Sequence, residues 1–247
     1  MCIEAPPETR RSRHGDDPDR YARRRRRLRR LCPEPQGGAS PSAAIVVIQE
    51  IFGVNEGIRR KCDAWAEKGY LALAPDLFWR LEPGVELDPD VPDEFKQALD
   101  LMGRFDQDQG VIDIEATIRA ARARLGEGAK VGVVGYCLGG RLAYMAAART
   151  DADACVGYYA VGLPGILHEK NAIARPLMLH IAGADHFVDA AAQRAMHEGL
   201  DDHPRVTLHD YPGEDHGFAA EMGKRRSEDA ARLADGRTSD FFAQHLR

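Results

Sequence analysis

The feature that most narrows the fold is the passage from Val131 to Gly140, Val-Gly-Val-Val-Gly-Tyr-Cys-Leu-Gly-Gly, where a short apolar run empties into Gly-X-Cys-X-Gly. A brief β-branched run bounded by turn residues reads as a buried strand. The glycines flanking Cys137 allow a tight strand-to-helix turn that bulkier neighbours would block. Such a turn lifts the sulfur above the carboxyl end of a sheet. It also aims the Leu138 amide, at the head of the next helix, toward any negative charge developing there. A phosphate-binding turn is the competing reading, but Gly-X-Gly-X-X-Gly spacing and a Gly-Lys-Ser/Thr ending are both missing. A purely structural cysteine is the other alternative.

Two later segments bear on that choice. The run Pro176–Ala182 reads as a strand ending in Gly183-Ala184-Asp185-His186-Phe187, and the alternating stretch Val206–Tyr211 leads into Pro212-Gly213-Glu214-Asp215-His216-Gly217-Phe218. Asp185 and His216 thus fall in loops just past strand ends, where open parallel sheets meet their ligands. Nucleophile, acid and histidine in this order, behind a Gly-X-nucleophile-X-Gly elbow, form the signature of α/β-hydrolases, here with cysteine at the nucleophile position. Strands are expected over 44–49, 70–74, 130–134, 154–159, 176–182 and 205–210, and helices over 56–68, 108–125, 138–149, 188–200 and 224–245. The alternation predicts an α/β fold with a mainly parallel central sheet and helices on both faces. Pro83, Gly84, Pro89 and Pro92 mark residues 80–93 as a loop over the mouth of the site.

The segments Val47–Asn55 (Val-Ile-Gln-Glu-Ile-Phe-Gly-Val-Asn), Ala74–Phe78, Gly135–Gly140, Val156–Tyr159, Gly183–Phe187 and His216–Phe218 resemble the dienelactone hydrolase family, the carboxymethylenebutenolidases. The likeness runs over about residues 43 to 246. It implies a Cys137–His216–Asp185 triad without metal or organic cofactor, and Glu50 near the thiol, taking part in its activation. By position, Ile51 supplies a second oxyanion-binding amide beside that of Leu138. The bland reading of Glu50 is a satisfied carboxylate at a strand end. Ungapped matching puts Phe95 and Ala220 where family members acting on dienelactone use arginines to hold the substrate carboxylate. Arg80, Lys96 and Arg104 are candidates to replace them. Tyr136, Phe52, Trp79, Phe187 and Phe218 are expected to line an apolar pocket, as is Tyr159.

Thiol chemistry restricts the substrate. In a tetrahedral intermediate the weaker base departs, so a thiolate leaves in preference to a simple alkoxide and attack on an ordinary ester reverses. An enolate, phenolate or thiolate leaving group lets acylation proceed. The expected function is therefore cysteine-dependent hydrolysis of activated esters or lactones through an acyl-thioester. A broader carboxylesterase or thioesterase with the same triad, and a catalytically silent hydrolase fold used for binding, are the alternatives.

At 247 residues and 44% hydrophobic content the chain suits one domain. No apolar run approaches the ~20 residues needed to span a bilayer, and no signal-peptide pattern is legible. Five irregularly spaced cysteines fit a reducing compartment, so cytoplasmic residence is expected. His180, His186 and His209 lack the spacing of a zinc motif. Residues 1–42 stand apart, with eleven arginines against six acidic residues in a chain of net charge −5. The run at 23–30 invites a nucleic-acid reading, but no aromatic interleaving accompanies it. The expectation is a disordered extension on a catalytic domain of residues 43–247, with a small-molecule partner, no membrane and no nucleic acid, and with monomer or dimer left open.

Overall fold

Five short apolar runs set the architecture, because each can escape water only inside a sheet covered on both sides, and a sixth, more polar strand closes one edge. Strand β1, Ala43–Ile48, is Ala-Ala-Ile-Val-Val-Ile and buried at every position. In the computed structural model, which describes residues 41–126 and 128–246, β1 is followed by helix α1 (Glu56–Glu67), β2 (Leu71–Leu73), α2 (Pro92–Arg104), α3 (Gln107–Leu125) and β3 (Lys130–Tyr136). Then come α4 (Leu138–Arg149), β4 (Ala154–Tyr158), a 3₁₀ segment (Leu163–Ala172), β5 (Leu177–Ala182), α5 (Ala190–Leu200), β6 (Val206–Tyr211) and α6 (Glu228–His245). The expected extension at 1–42 lies, but for its last two residues, outside the described residues.

All five strand pairings are parallel, in the order β2-β1-β3-β4-β5-β6. The chain runs from β1 outward to β2, then crosses back to lay β3 along the other side of β1. The reversal opens a crevice above the carboxyl ends of β1 and β3, where ligands meet sheets of this kind. Helices α1 and α6 meet through Trp65 and Phe242, whose ring centroids are 5.4 Å apart. Helix α4 packs on β1, β3 and β4 beside α3. The α/β-hydrolase architecture expected from the motif order is the one observed.

The strand and helix expectations hold with end shifts of a few residues. Helix α2 and the 3₁₀ segment were not anticipated. The first begins at Pro92, whose fixed φ suits a first helical turn, so the proline-rich stretch before it is a helix entry as well as a loop. Among its residues only Ala98 and Leu101 are buried, although Phe95, Ala98, Leu99 and Met102 recur at helical spacing.

Candidate active site

Cys137 occupies the first residue after β3 with φ 55° and ψ −114°, a left-handed backbone that side chains other than glycine seldom adopt. The turn is tight because its glycines touch backbone. A Cβ on Gly135 would fall 1.9 Å from the Gly139 carbonyl oxygen, and one on Gly139 would fall 2.5 Å from that of Gln49. These contacts seat the start of α4 against the end of β1. The Cys137 N–H donates to the Tyr158 carbonyl at 3.0 Å, while its own carbonyl accepts from Gly140 and Arg141.

Asp185 and His216, in the loops after β5 and β6, are both buried. Nδ1 of His216 lies 2.8 Å from Oδ2 of Asp185, and the second Asp185 oxygen accepts the Phe187 N–H at 2.8 Å. With Nδ1 engaged, Nε2 is the ring nitrogen left for Cys137, which lines the same cavity. Burial opposes a charge on the ring, but the interactions with Cys137 and with the Asp185 carboxylate outweigh it and lift the His216 pKa to about 10. Phe187 and Tyr159 meet the imidazole edge-on, at 4.9 and 5.0 Å between centroids.

Glu50 follows β1 and lines the same cavity as Cys137 and His216. Its carboxyl has no hydrogen-bond partner among the described residues. Burial raises its pKa, against the pull of His216, Arg225 and Lys61. The backbone N–H groups of Ile51 and Leu138 likewise find no acceptor among the described residues, so both donors are free for a ligand.

The cavity brings together Phe52 and Phe187 from the expected aromatic set, and Phe95 and Ala220 from the expected arginine positions. Tyr136, Trp79 and Phe218 do not line it, which corrects the sequence expectation. Tyr136 stacks on Tyr158 at 4.8 Å beneath Lys61, Trp79 donates its Nε1–H to Asp113, and Phe218 is sealed between Tyr211 and Tyr159. Nor do the three candidate cations reach it. Arg80 pairs with Asp113, Arg104 pairs with Asp100 at 2.8 Å, and Lys96 is exposed outside the cavity.

Asp215 and Arg225, absent from the expected site, and Tyr159, expected to line the pocket, belong to the site or brace it. Asp215 Oδ1 accepts the backbone N–H of His216 at 2.6 Å and also the N–H and Nδ1 of His186. Burial pulls the Asp215 pKa up, but these donors override it and hold it at about 2. One carboxylate therefore ties the acid loop to the histidine loop. Tyr159, with φ 35°, buries a hydroxyl that has no hydrogen-bond partner among the described residues. Arg225 lines the cavity from the segment before α6. Asp185, His186 and Asp215 also bring three ligand-type atoms within 4.8 Å of one another, although the Asp185 oxygens and Asp215 Oδ1 already accept the hydrogen bonds above. His180 is far from such duty. Its Nδ1 meets the Tyr211 hydroxyl and its Nε2 that of Thr238, and burial drives its pKa well down.

A parallel sheet with a cysteine elbow at the switch in strand order, and an acid and a histidine in the loops beyond, defines an α/β-hydrolase. The chain belongs to the dienelactone hydrolase family, whose sequence pattern matches residues 30–246. A protein of Azospirillum brasilense is 47% identical over 214 residues, covering 86% of this chain and 91% of its own. The carboxymethylenebutenolidase of Pseudomonas putida is 41% identical over 204 residues, covering 83% and 86%. Among solved structures, a chain from Klebsiella pneumoniae subsp. pneumoniae superposes with TM-score 0.73 at 27% identity, covering 85% of this chain and 90% of that one. The protein is thus a hydrolase, and no described helix is long and apolar enough to cross a membrane.

Proposed function

We propose that the chain hydrolyses activated esters or lactones by nucleophilic catalysis at Cys137. His216 takes the thiol proton and Asp185 holds the imidazole in the required tautomer and stabilises its charged form. The thiolate adds to the carbonyl carbon, and the resulting oxyanion accepts from the N–H groups of Leu138 and Ile51. Collapse expels the enolate or phenolate, which takes the proton from His216, and leaves an acyl-thioester on Cys137. Water, deprotonated by the same imidazole, then attacks that thioester and returns the thiol. Glu50, whose pKa burial raises, lies beside the reacting groups as an additional proton carrier during thiol activation.

The observation that carries this reading is the His216 ring held by Asp185 on Nδ1 at 2.8 Å in the cavity that Cys137 also lines. Lactone hydrolysis comes from the kinship, since the Pseudomonas putida relative is named a carboxymethylenebutenolidase. The test is the rate on ethyl and enol esters of one acid. The proposal expects the enol ester to be turned over far faster, and comparable rates contradict it.

A broader esterase or thioesterase is the second reading, and one observation favours it. Phe95 and Ala220 turn apolar surface toward the cavity where carboxylate-binding arginines were expected. We also read residues 43–247 as the catalytic domain and the protein as cytoplasmic, with Cys62, Cys137 and Cys155 in no disulfide among the described residues.

A further inference from the structure

A second polar system lies outside the cavity, between the sheet and α6. Tyr158, His180, Tyr211 and Thr238 are all buried. Arg237 donates to the Tyr211 hydroxyl oxygen at 3.2 Å, and that oxygen lies 2.8 Å from Nδ1 of His180. Nε2 of His180 is 2.9 Å from Oγ1 of Thr238, which is 2.6 Å from the Tyr158 hydroxyl. The Tyr158 hydroxyl donates to Asp235 Oδ1 at 2.9 Å, and Asp235 Oδ2 pairs with Lys61 at 2.9 Å. A guanidinium only donates and a carboxylate only accepts, so the two ends set every proton between them. Tyr158 gives its proton to Asp235 and accepts from Thr238. Thr238 therefore accepts from Nε2 of His180, and Nδ1 accepts from Tyr211. The ring is held in one tautomer, and burial keeps it neutral by driving its pKa well down. The same three strand residues hold the catalytic loops by their backbones. The Tyr158 carbonyl accepts the Cys137 N–H at 3.0 Å, and the His180 carbonyl accepts that of Tyr159 at 2.8 Å. The Tyr211 carbonyl accepts from Gly183 at 3.0 Å, where the Asp185 loop opens, and from Glu214 at 3.1 Å, in the His216 loop.

We propose that His180 and Thr238 are positioning residues of the hydrolase. The one-way hydrogen-bond chain from Arg237 to Asp235 sets the carboxyl ends of β4, β5 and β6 relative to one another, and with them Cys137, Asp185 and His216. This inference rests on the hydrolase reading given above. Stability alone does not call for such a chain, since apolar side chains of the same shape fill a core about as well. Apolar contacts are non-directional and let neighbouring strand ends settle against each other in several ways. A chain whose donors all point one way does not, because turning one link leaves two donors or two acceptors facing each other in a dry interior. A nucleophile, a base and an acid carried on three different loops need that discipline, as a shift of about 1 Å can cost about a hundredfold in rate.

The experiment compares Thr238→Val, which keeps the shape and removes the hydroxyl, with Thr238→Ser, which keeps the hydroxyl. The readouts are kcat and KM on an aryl ester, the rate of Cys137 alkylation by iodoacetamide, and the downfield proton resonance of the His216 Nδ1–H. Thr238→Val should lower kcat by about ten- to a hundredfold with KM little changed, slow alkylation and shift or broaden the resonance. Thr238→Ser should return all three toward wild type. Tyr211→Phe removes the donor to Nδ1 of His180 and should show the same split, which covers a Thr238→Val chain that does not fold. Tyr144→Phe, which deletes a buried hydroxyl with no hydrogen-bond partner among the described residues, should leave kcat unchanged. Nitrogen-15 spectra of wild type should show a neutral His180 with its proton on Nε2, and the opposite tautomer overturns the inference without any variant. Variants that lose only stability, with kcat, alkylation and the His216 resonance as in wild type, also overturn it while leaving the hydrolase reading intact. A wild-type enzyme that neither turns over the ester nor forms an acyl adduct on Cys137 overturns that reading itself.

Discussion

Nδ1 of His216 and Oδ2 of Asp185 lie 2.8 Å apart in a pair sealed from solvent, and the imidazole they orient lines the same cavity as Cys137. Replacing Asp185 by Asn keeps the size of the side chain but lets its amide donate to the ring, which favours the wrong tautomer. Asp185→Asn should lower kcat by about a thousandfold or more while changing KM little. Steady-state kinetics on an aryl ester measures both.

His216, through Cys137 and Asp185 together, also makes stability depend on pH. The folded-state pKa of His216 is about 10 against an ordinary value of 6.5, so the folded protein holds a proton that the unfolded chain has released. The contribution is fully present below about pH 6.5 and disappears as pH rises toward 10. Urea midpoints between pH 6 and 10 should fall more steeply for wild type than for His216→Asn. Parallel curves would mean that the ring is not held in its charged form.

Glycine at 135 is a steric requirement. Gly135→Ala drives a methyl group into the Gly139 backbone, and cores faced with such overlap lose about 3 kcal/mol or fail to fold. Gly236→Ala, on α6 with open space around it, should instead stabilise by about 0.5–1 kcal/mol through helix propensity. Urea unfolding of the two variants side by side reads the contrast.

Much of this was legible because the information is local. Five of the six strands are continuous apolar runs, as burial on both faces demands, β6 alternates at the sheet edge, and each triad residue stands in the turn or loop past a strand. The pocket was less legible. Alternation along a strand tells which face Tyr136 occupies, but not that Lys61 and Tyr158 cover it there. Trp79 and Arg80 looked free for the substrate until α3 brought Asp113 against both. Asp215 and Arg225 were overlooked because their roles depend on loops converging from β5 and β6 and from the entry to α6. The weak available signal was their nearness in sequence to His216.

Glu50 holds a carboxyl that burial pushes toward its neutral form. An acid whose pKa is raised on folding costs stability once pH exceeds its unfolded value, 4.5 here. Glu50→Gln should therefore raise Tm at pH 7 by a few degrees and slow acylation, a trade of stability against activity. Near pH 4 the Tm difference should shrink. Calorimetry at the two pH values, with acylation followed by stopped flow, tests both halves.

The central claim, an acyl-thioester on Cys137, is tested most directly by intact and peptide mass spectrometry after rapid acid quench of the enzyme with an aryl ester. The account predicts an added acyl mass on the peptide carrying Cys137, abolished by prior iodoacetamide and absent from Cys137→Ala, which is also inactive. An active Cys137→Ala enzyme, or an acyl group trapped on another residue, would contradict it.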